Sequence, residues 1–157
     1  MLKQILKPFS FIPALIIMYF IFSFSGQTGD ISGGLSFKIS HKIITIGDKI
    51  LNTHLDSEQI NDYAEKIHTP VRKVAHMTEY FLLTMAVSFP LYLYGIRGIR
   101  LILFASIFCF AFACSDEFHQ SFISGRGPSI KDVGIDSIGI LIGIFIIHIF
   151  KRSKINQ

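Results

Sequence analysis

Residues 101–150 read LILFASIFCF AFACSDEFHQ SFISGRGPSI KDVGIDSIGI LIGIFIIHIF, and this stretch decides the fold. Two apolar runs, Leu101–Ala113 and Val133–Phe150, flank a polar middle that extends from Asp116 to Asp132. A bilayer core takes about 20 apolar residues of helix. The first run reaches that length when its helix extends from Ile99 to His119. Working outward, Phe9–Phe24 and Val74–Tyr94 supply two further runs of span length. The expected fold is therefore an all-α integral membrane protein in one domain over residues 1–157. Its four transmembrane helices fall at about 9–25, 73–94, 99–119 and 130–150.

Composition agrees. Of 157 residues, 50% are hydrophobic and only 17% are charged, with a mean hydropathy of +0.51. A soluble domain carries about 25% charged residues. Disorder is excluded because 16 Phe cannot stay solvated. Two Cys cannot hold a disulfide scaffold. Cys109 and Cys114 sit five apart on one helix, with Cα atoms roughly 8.5 Å apart, beyond disulfide reach. Lys3 and Lys7 resemble the basic start of a signal peptide. The apolar run is long for that role and no A-x-A site follows, so it is read as a span.

Charge placement sets the orientation. Lys3, Lys7, Arg97, Arg100, Lys151, Arg152 and Lys154 occupy short segments on one side that contain no acidic residue. The other side holds the remaining basic residues and all 11 acidic ones. The positive-inside rule places both termini in the cytoplasm of a multi-pass protein, and the Lys-, Ile- and Phe-rich usage points to an A·T-rich bacterial genome and so to a bacterial plasma membrane. The pI near 9.1 is thus a topology signal, and no nucleic-acid-binding motif accompanies it.

Between the first two spans lies a segment too long for a bare turn. Leu35, Ile39, Ile43, Ile46 and Ile50 recur at intervals of four, four, three and four. This is one apolar stripe, with Lys38, Lys42, Asp48 and Lys49 off it, and it predicts a short amphipathic helix in the outer interface. A second short helix is expected to start at Ser57, with its hydroxyl as cap. Thr69-Pro70 then suits a fresh helix start, Thr as N-cap and Pro at the first helical position.

The informative residues are ionisable groups at the outer ends of the spans. Lys73, His76 and Tyr80 share one helix face, and Glu79 borders it. Asp116 and Gln120 stand four apart beside Glu117. Gly125-Arg126 introduces the last span, in which Asp132, Asp136, Gly139 and Gly143 follow one stripe. At 1.5 Å per residue, Glu79 and Asp136 lie roughly 9 Å in from the outer helix ends. A central charge costs about 2.5–3.5 kcal/mol on insertion scales. Several such groups at one depth predict a polar pocket open to the outside, against the plainer reading of structural ion pairs such as Glu79 with Lys73 or Arg126. Gly139-x-x-x-Gly143 is a helix-packing face, within one chain or across a homo-oligomer.

The His near the outer end of the second span, Asp116-Glu117-x-x-Gln120, Gly125-Arg126, Asp132-x-x-x-Asp136 and Gly139-x-x-x-Gly143 together resemble the VanZ-like family. That family is named for an accessory protein that lowers susceptibility to the glycopeptide teicoplanin. The resemblance runs from Phe22-Ser23-Phe24-Ser25 through the last span and is densest over Ser115–Gly143. It implies that the family's polar residues fall on Lys73, His76, Glu79, Tyr80, Asp116, Glu117, Gln120, Arg126, Asp132 and Asp136. It brings no settled reaction with it.

Two classes of function fit. In one, the pocket of a cell-envelope protein binds a membrane lipid headgroup, a cell-wall precursor or the glycopeptide's anchor. Lys73, Tyr80, Asp116, Gln120, Arg126 and Asp132 are the ligand-binding candidates, with Arg126 and Lys73 on a phosphate or carboxylate. In the other, an intramembrane hydrolase or transferase acts on a lipid-linked phosphate or carboxyl substrate. Asp116, Glu117, Asp132 and Asp136 would hold Mg²⁺ or Mn²⁺. His76, Glu79, Glu117 and Asp136 are then the catalytic candidates, His76 or Glu79 as general base. Neither His-Glu-x-x-His nor Gly-x-Ser-x-Gly occurs in the sequence.

Overall fold

Helix boundaries follow local capping chemistry. A computed structural model describes residues 7–127 and 129–155. A 3-10 turn at Pro8–Phe11 leads into α1 (Ile12–Ser25), followed by α2 (Gly29–Leu51), α3 (Ser57–Leu93), α4 (Gly98–Gln120) and α5 (Ile130–Ile155). No strand occurs among the described residues. The Thr28 hydroxyl caps α2 by accepting from the Ile31 N–H. The same helix stops at Asn52, which takes the left-handed conformation (φ 52°) that Asn tolerates well.

Two sequence expectations are corrected in α3. Its cap is Asp56, one residue before Ser57. The Asp56 carboxylate accepts from the Gln59 N–H at 2.8 Å, while the Gln59 side chain accepts from the Asp56 N–H at 3.0 Å. This is a reciprocal capping box, which satisfies two donors where a lone Ser cap would satisfy one. The helix also runs through Thr69-Pro70 without a break or a new start. Pro70 removes one intrahelical donor, but it is exposed, so the carbonyl it deprives faces water. Helix α3 as a whole packs against α2 and α5.

Among the described residues, three segments are long and apolar enough to cross a membrane: Pro8–Ser25, Gly98–Gln120 and Ile130–Ile149. Residues 73–93 of α3 are not among them, because His76, Glu79 and Pro90 dilute an otherwise apolar stretch. The distribution of side chains is that of a bundle in lipid. Large apolar residues such as Leu15, Tyr19, Phe104, Ile107, Leu141 and Phe145 point outward. Ser25, Thr84, Ser88, Asp116, Glu117, Gln120 and Asp136 are buried. A water-soluble bundle places these two classes the other way round.

Helix α3 touches all four other helices, and its most extensive contact is with α5. Glycine makes that contact possible. A Cβ on Gly139 would run into the Met77 carbonyl, and one on Gly143 would meet Thr84 Cβ at 2.9 Å. The Gly139/Gly143 face therefore packs within the chain. The remaining core is Ala14, Ile21, Tyr80, Leu83, Val87, Ala105, Cys109, Ala113 and Ile140. Both cysteines are free, Cys109 buried and Cys114 exposed.

Helices α2 and α3 form a hairpin closed by Asp48. Its carboxylate accepts from the Thr53 hydroxyl at 2.7 Å and the Leu55 N–H at 2.9 Å. The residues α2 buries are Ser36 and Ser40, small enough for a close approach of α3, which buries Ala64 in the same region. The apolar stripe of Leu35, Ile39, Ile43, Ile46 and Ile50 faces outward.

Candidate functional site

The C-terminal ends of α1 and α4, the N-terminal end of α5 and residues 72–80 of α3 meet at one end of the bundle. Ser25 closes α1 and is fully buried. Its hydroxyl donates to Asp116 Oδ2 at 2.7 Å, and the Gln120 amide donates to the same oxygen at 3.0 Å. The i, i+4 spacing of Asp116 and Gln120 puts both on the buried face of the last turn of α4.

Arg126 fastens the loop after α4 to this layer. One guanidinium nitrogen donates to Gln120 Oε1 at 2.9 Å, and another donates to the Phe24 carbonyl at 3.0 Å. The second contact places a cation at the C-terminal, negative end of α1. Burial pushes the Arg126 pKa below its ordinary value, Arg72 pushes it further down, and Asp116, Glu117 and Glu79 oppose the shift. The loop itself is held close by glycine. The Gly29 N–H donates to the Ser124 carbonyl at 3.0 Å, and Gly125 has φ of +73°. A Cβ on Gly29 would strike the Gly125 carbonyl.

Each remaining acid has its own partner or none. Glu117 accepts the Ser129 N–H at 2.9 Å at the entry to α5. Lys73 Nζ lies 3.2 Å from Asp132 Oδ1, an ion pair between α3 and α5. The expected alternatives, Glu79 with Lys73 or Arg126, give way to Glu79 Oε2 at 3.4 Å from His76 Nδ1. Asp136 is 3% exposed, and its Oδ1 has no hydrogen-bond partner among the described residues. The same holds for Tyr80 Oη, Asp116 Oδ1 and Arg126 Nε.

A cavity of about 230 Å³ opens at this end. Lys73, His76, Glu117, Gln120, Arg126, Asp132 and Asp136 line it, so seven of the sequence candidates converge there. Glu79, Tyr80 and Asp116 lie outside the lining, Tyr80 and Asp116 buried beside it. Among the described residues, no three His, Cys, Asp or Glu side chains are grouped to hold a metal ion. Asp116, Glu117 and Asp132 are engaged by Ser25 and Gln120, by Ser129 and by Lys73 respectively.

Two important residues escape the sequence reading. Arg72 lines the cavity and enters no ion pair or side-chain hydrogen bond among the described residues. Its position four residues before His76 was the available signal, since that spacing shares a helix face. Ser25 holds Asp116; in the sequence it stands at the end of an apolar run, in the stretch where the family resemblance begins, with nothing to mark Asp116 as its partner. His119, on a different face from Gln120, stacks on Phe22 with ring centroids 3.9 Å apart and takes no place in the cavity.

The family model described as VanZ/LLP1 matches residues 10–151. No curated protein and no solved structure gives a match.

Proposed function

The chain belongs to the VanZ/LLP1 family, and we propose that it is a cell-envelope membrane protein whose polar cavity holds an anionic ligand. The ligand is a lipid headgroup or a cell-wall precursor bearing phosphate or carboxylate. The observation that carries this reading is Arg72, a guanidinium on the cavity wall with no protein partner among the described residues. Arg presents a planar fork that matches phosphate and carboxylate oxygens. Arg126 adds a second guanidinium, fixed by Gln120 and the Phe24 carbonyl before any ligand arrives. Such preorganisation lowers the ordering cost of binding.

The membrane arrangement follows from charge and length. Residues 73–93 of α3 are the fourth span, about 31 Å long at 1.5 Å per residue. Of their polar side chains, Tyr80, Thr84 and Ser88 are buried against the other helices, and His76 and Glu79 are largely covered. Both termini and the α3–α4 turn lie in the cytoplasm of a bacterial cell, so the cavity faces outward. The apolar stripe of α2, edged by Lys38, Lys42 and Lys49, lies in the outer interface. Lowered teicoplanin susceptibility is then an outcome of the ligand that the cavity holds.

The test is Arg72→Gln and Glu117→Gln in cells, with membrane expression and teicoplanin tolerance measured together. Loss of tolerance at normal expression supports a working site. Tolerance unchanged by Arg72→Gln contradicts it.

A further inference from the structure

The cavity is chemically two-sided. Arg72 and Arg126 bring cationic groups to its wall from α3 and from the loop before α5. Asp136 brings a carboxylate from the second turn of α5, 3% exposed and with Oδ1 unpartnered among the described residues. A buried carboxylate oxygen is ordinarily matched by a donor. Several protein donors around the cavity are committed elsewhere, while Tyr80 Oη and Arg126 Nε, both buried, also have no partner among the described residues. Lys73 faces Asp132, the Ser129 N–H serves Glu117, and two Arg126 nitrogens serve Gln120 and the Phe24 carbonyl. One wall therefore asks for an anion and another asks for a hydrogen-bond donor.

We propose that the cavity takes a zwitterionic headgroup carrying a phosphate and a primary ammonium two carbons apart. The phosphate lies against Arg72 and Arg126, and the ammonium donates to Asp136. This rests on the anion-binding reading above and narrows it to one headgroup class. The size agrees: about 230 Å³ corresponds to roughly eight water-sized units of ~30 Å³, and a phosphoethanolamine group has about that many non-hydrogen atoms. A primary ammonium offers three donors to the carboxylate. A trimethylated ammonium offers none, and a glycerol headgroup offers only neutral hydroxyls.

The experiment uses the full chain in nanodiscs and short-chain phosphatidylethanolamine, phosphatidylcholine and phosphatidylglycerol as probes. Phosphatidylethanolamine should bind about tenfold more tightly than either other lipid, the scale of one charge-assisted hydrogen bond. Asp136→Asn should remove that preference. Competition by free O-phosphoethanolamine would place the recognised chemistry in the headgroup alone. Competition only by the lipid would place it in the lipid as a whole, and either result supports the proposal. Equal or tighter binding of phosphatidylglycerol overturns it and leaves the anion reading standing. So does a preference that survives Asp136→Asn. Binding of none of the three overturns both. The comparison of lipids on the unaltered protein decides the matter even if Asp136→Asn fails to fold.

Discussion

Ser25 Oγ donates to Asp116 Oδ2 at 2.7 Å, joining α1 and α4 through residues 91 positions apart in sequence. Both side chains are essentially excluded from solvent. Ser25→Ala leaves Asp116 with the Gln120 amide alone on that oxygen, a loss of about 1–3 kcal/mol for a buried acceptor. Thermal unfolding in detergent should show the loss. An unchanged midpoint would mean that the α1–α4 contact is held by apolar packing instead.

Gly139→Ala should destabilise the bundle by about 1–3 kcal/mol, because the new methyl group meets the Met77 carbonyl. Gly134→Ala is the control. It lies on the same helix with nothing within 4 Å of the added carbon. Helix propensity there favours Ala by up to about 1 kcal/mol. Opposite signs for the two substitutions, read from unfolding midpoints, are the expected result.

Lys73 and Asp132 are each a little under half exposed, at 43% and 44%, so their pairing is worth about 0.2–1 kcal/mol. A double-mutant cycle with Lys73→Met and Asp132→Asn should give a coupling of that size and shrink it in high salt. No coupling would free Lys73 for the ligand.

The α2–α3 turn should loosen in acid. Hydrogen bonds from the Leu55 N–H and then the Thr53 hydroxyl hold the Asp48 carboxyl below its ordinary value of 3.8. A depressed folded-state value means that the turn gains its full contribution above that ordinary value and loses it as pH falls through the lower folded one. The Leu55 amide chemical shift should titrate with a midpoint below 3.8, and Asp48→Asn should abolish the titration.

The bundle and much of its polar layer were legible because helical periodicity and bilayer length are local properties. Asp116 with Gln120, and Gly139 with Gly143, each share a face by spacing alone. Partner choice was less legible. Whether Lys73 meets Glu79 or Asp132 depends on how α3 and α5 are set against one another, and the glycine contact at Met77 fixes that. Pro70 misled in the same way. Its local preference for a helix start is overridden in a helix that runs from Ser57 to Leu93. Ser25 was out of reach because its importance lies wholly in the distant Asp116.

We propose that Arg72 serves a ligand and not the fold. Binding of short-chain phosphatidylglycerol and phosphatidylethanolamine to the full chain in nanodiscs, before and after Arg72→Gln, tests this most directly. About a tenfold loss for both lipids with an unchanged unfolding midpoint is the expected result. Equal binding by the two proteins would contradict it.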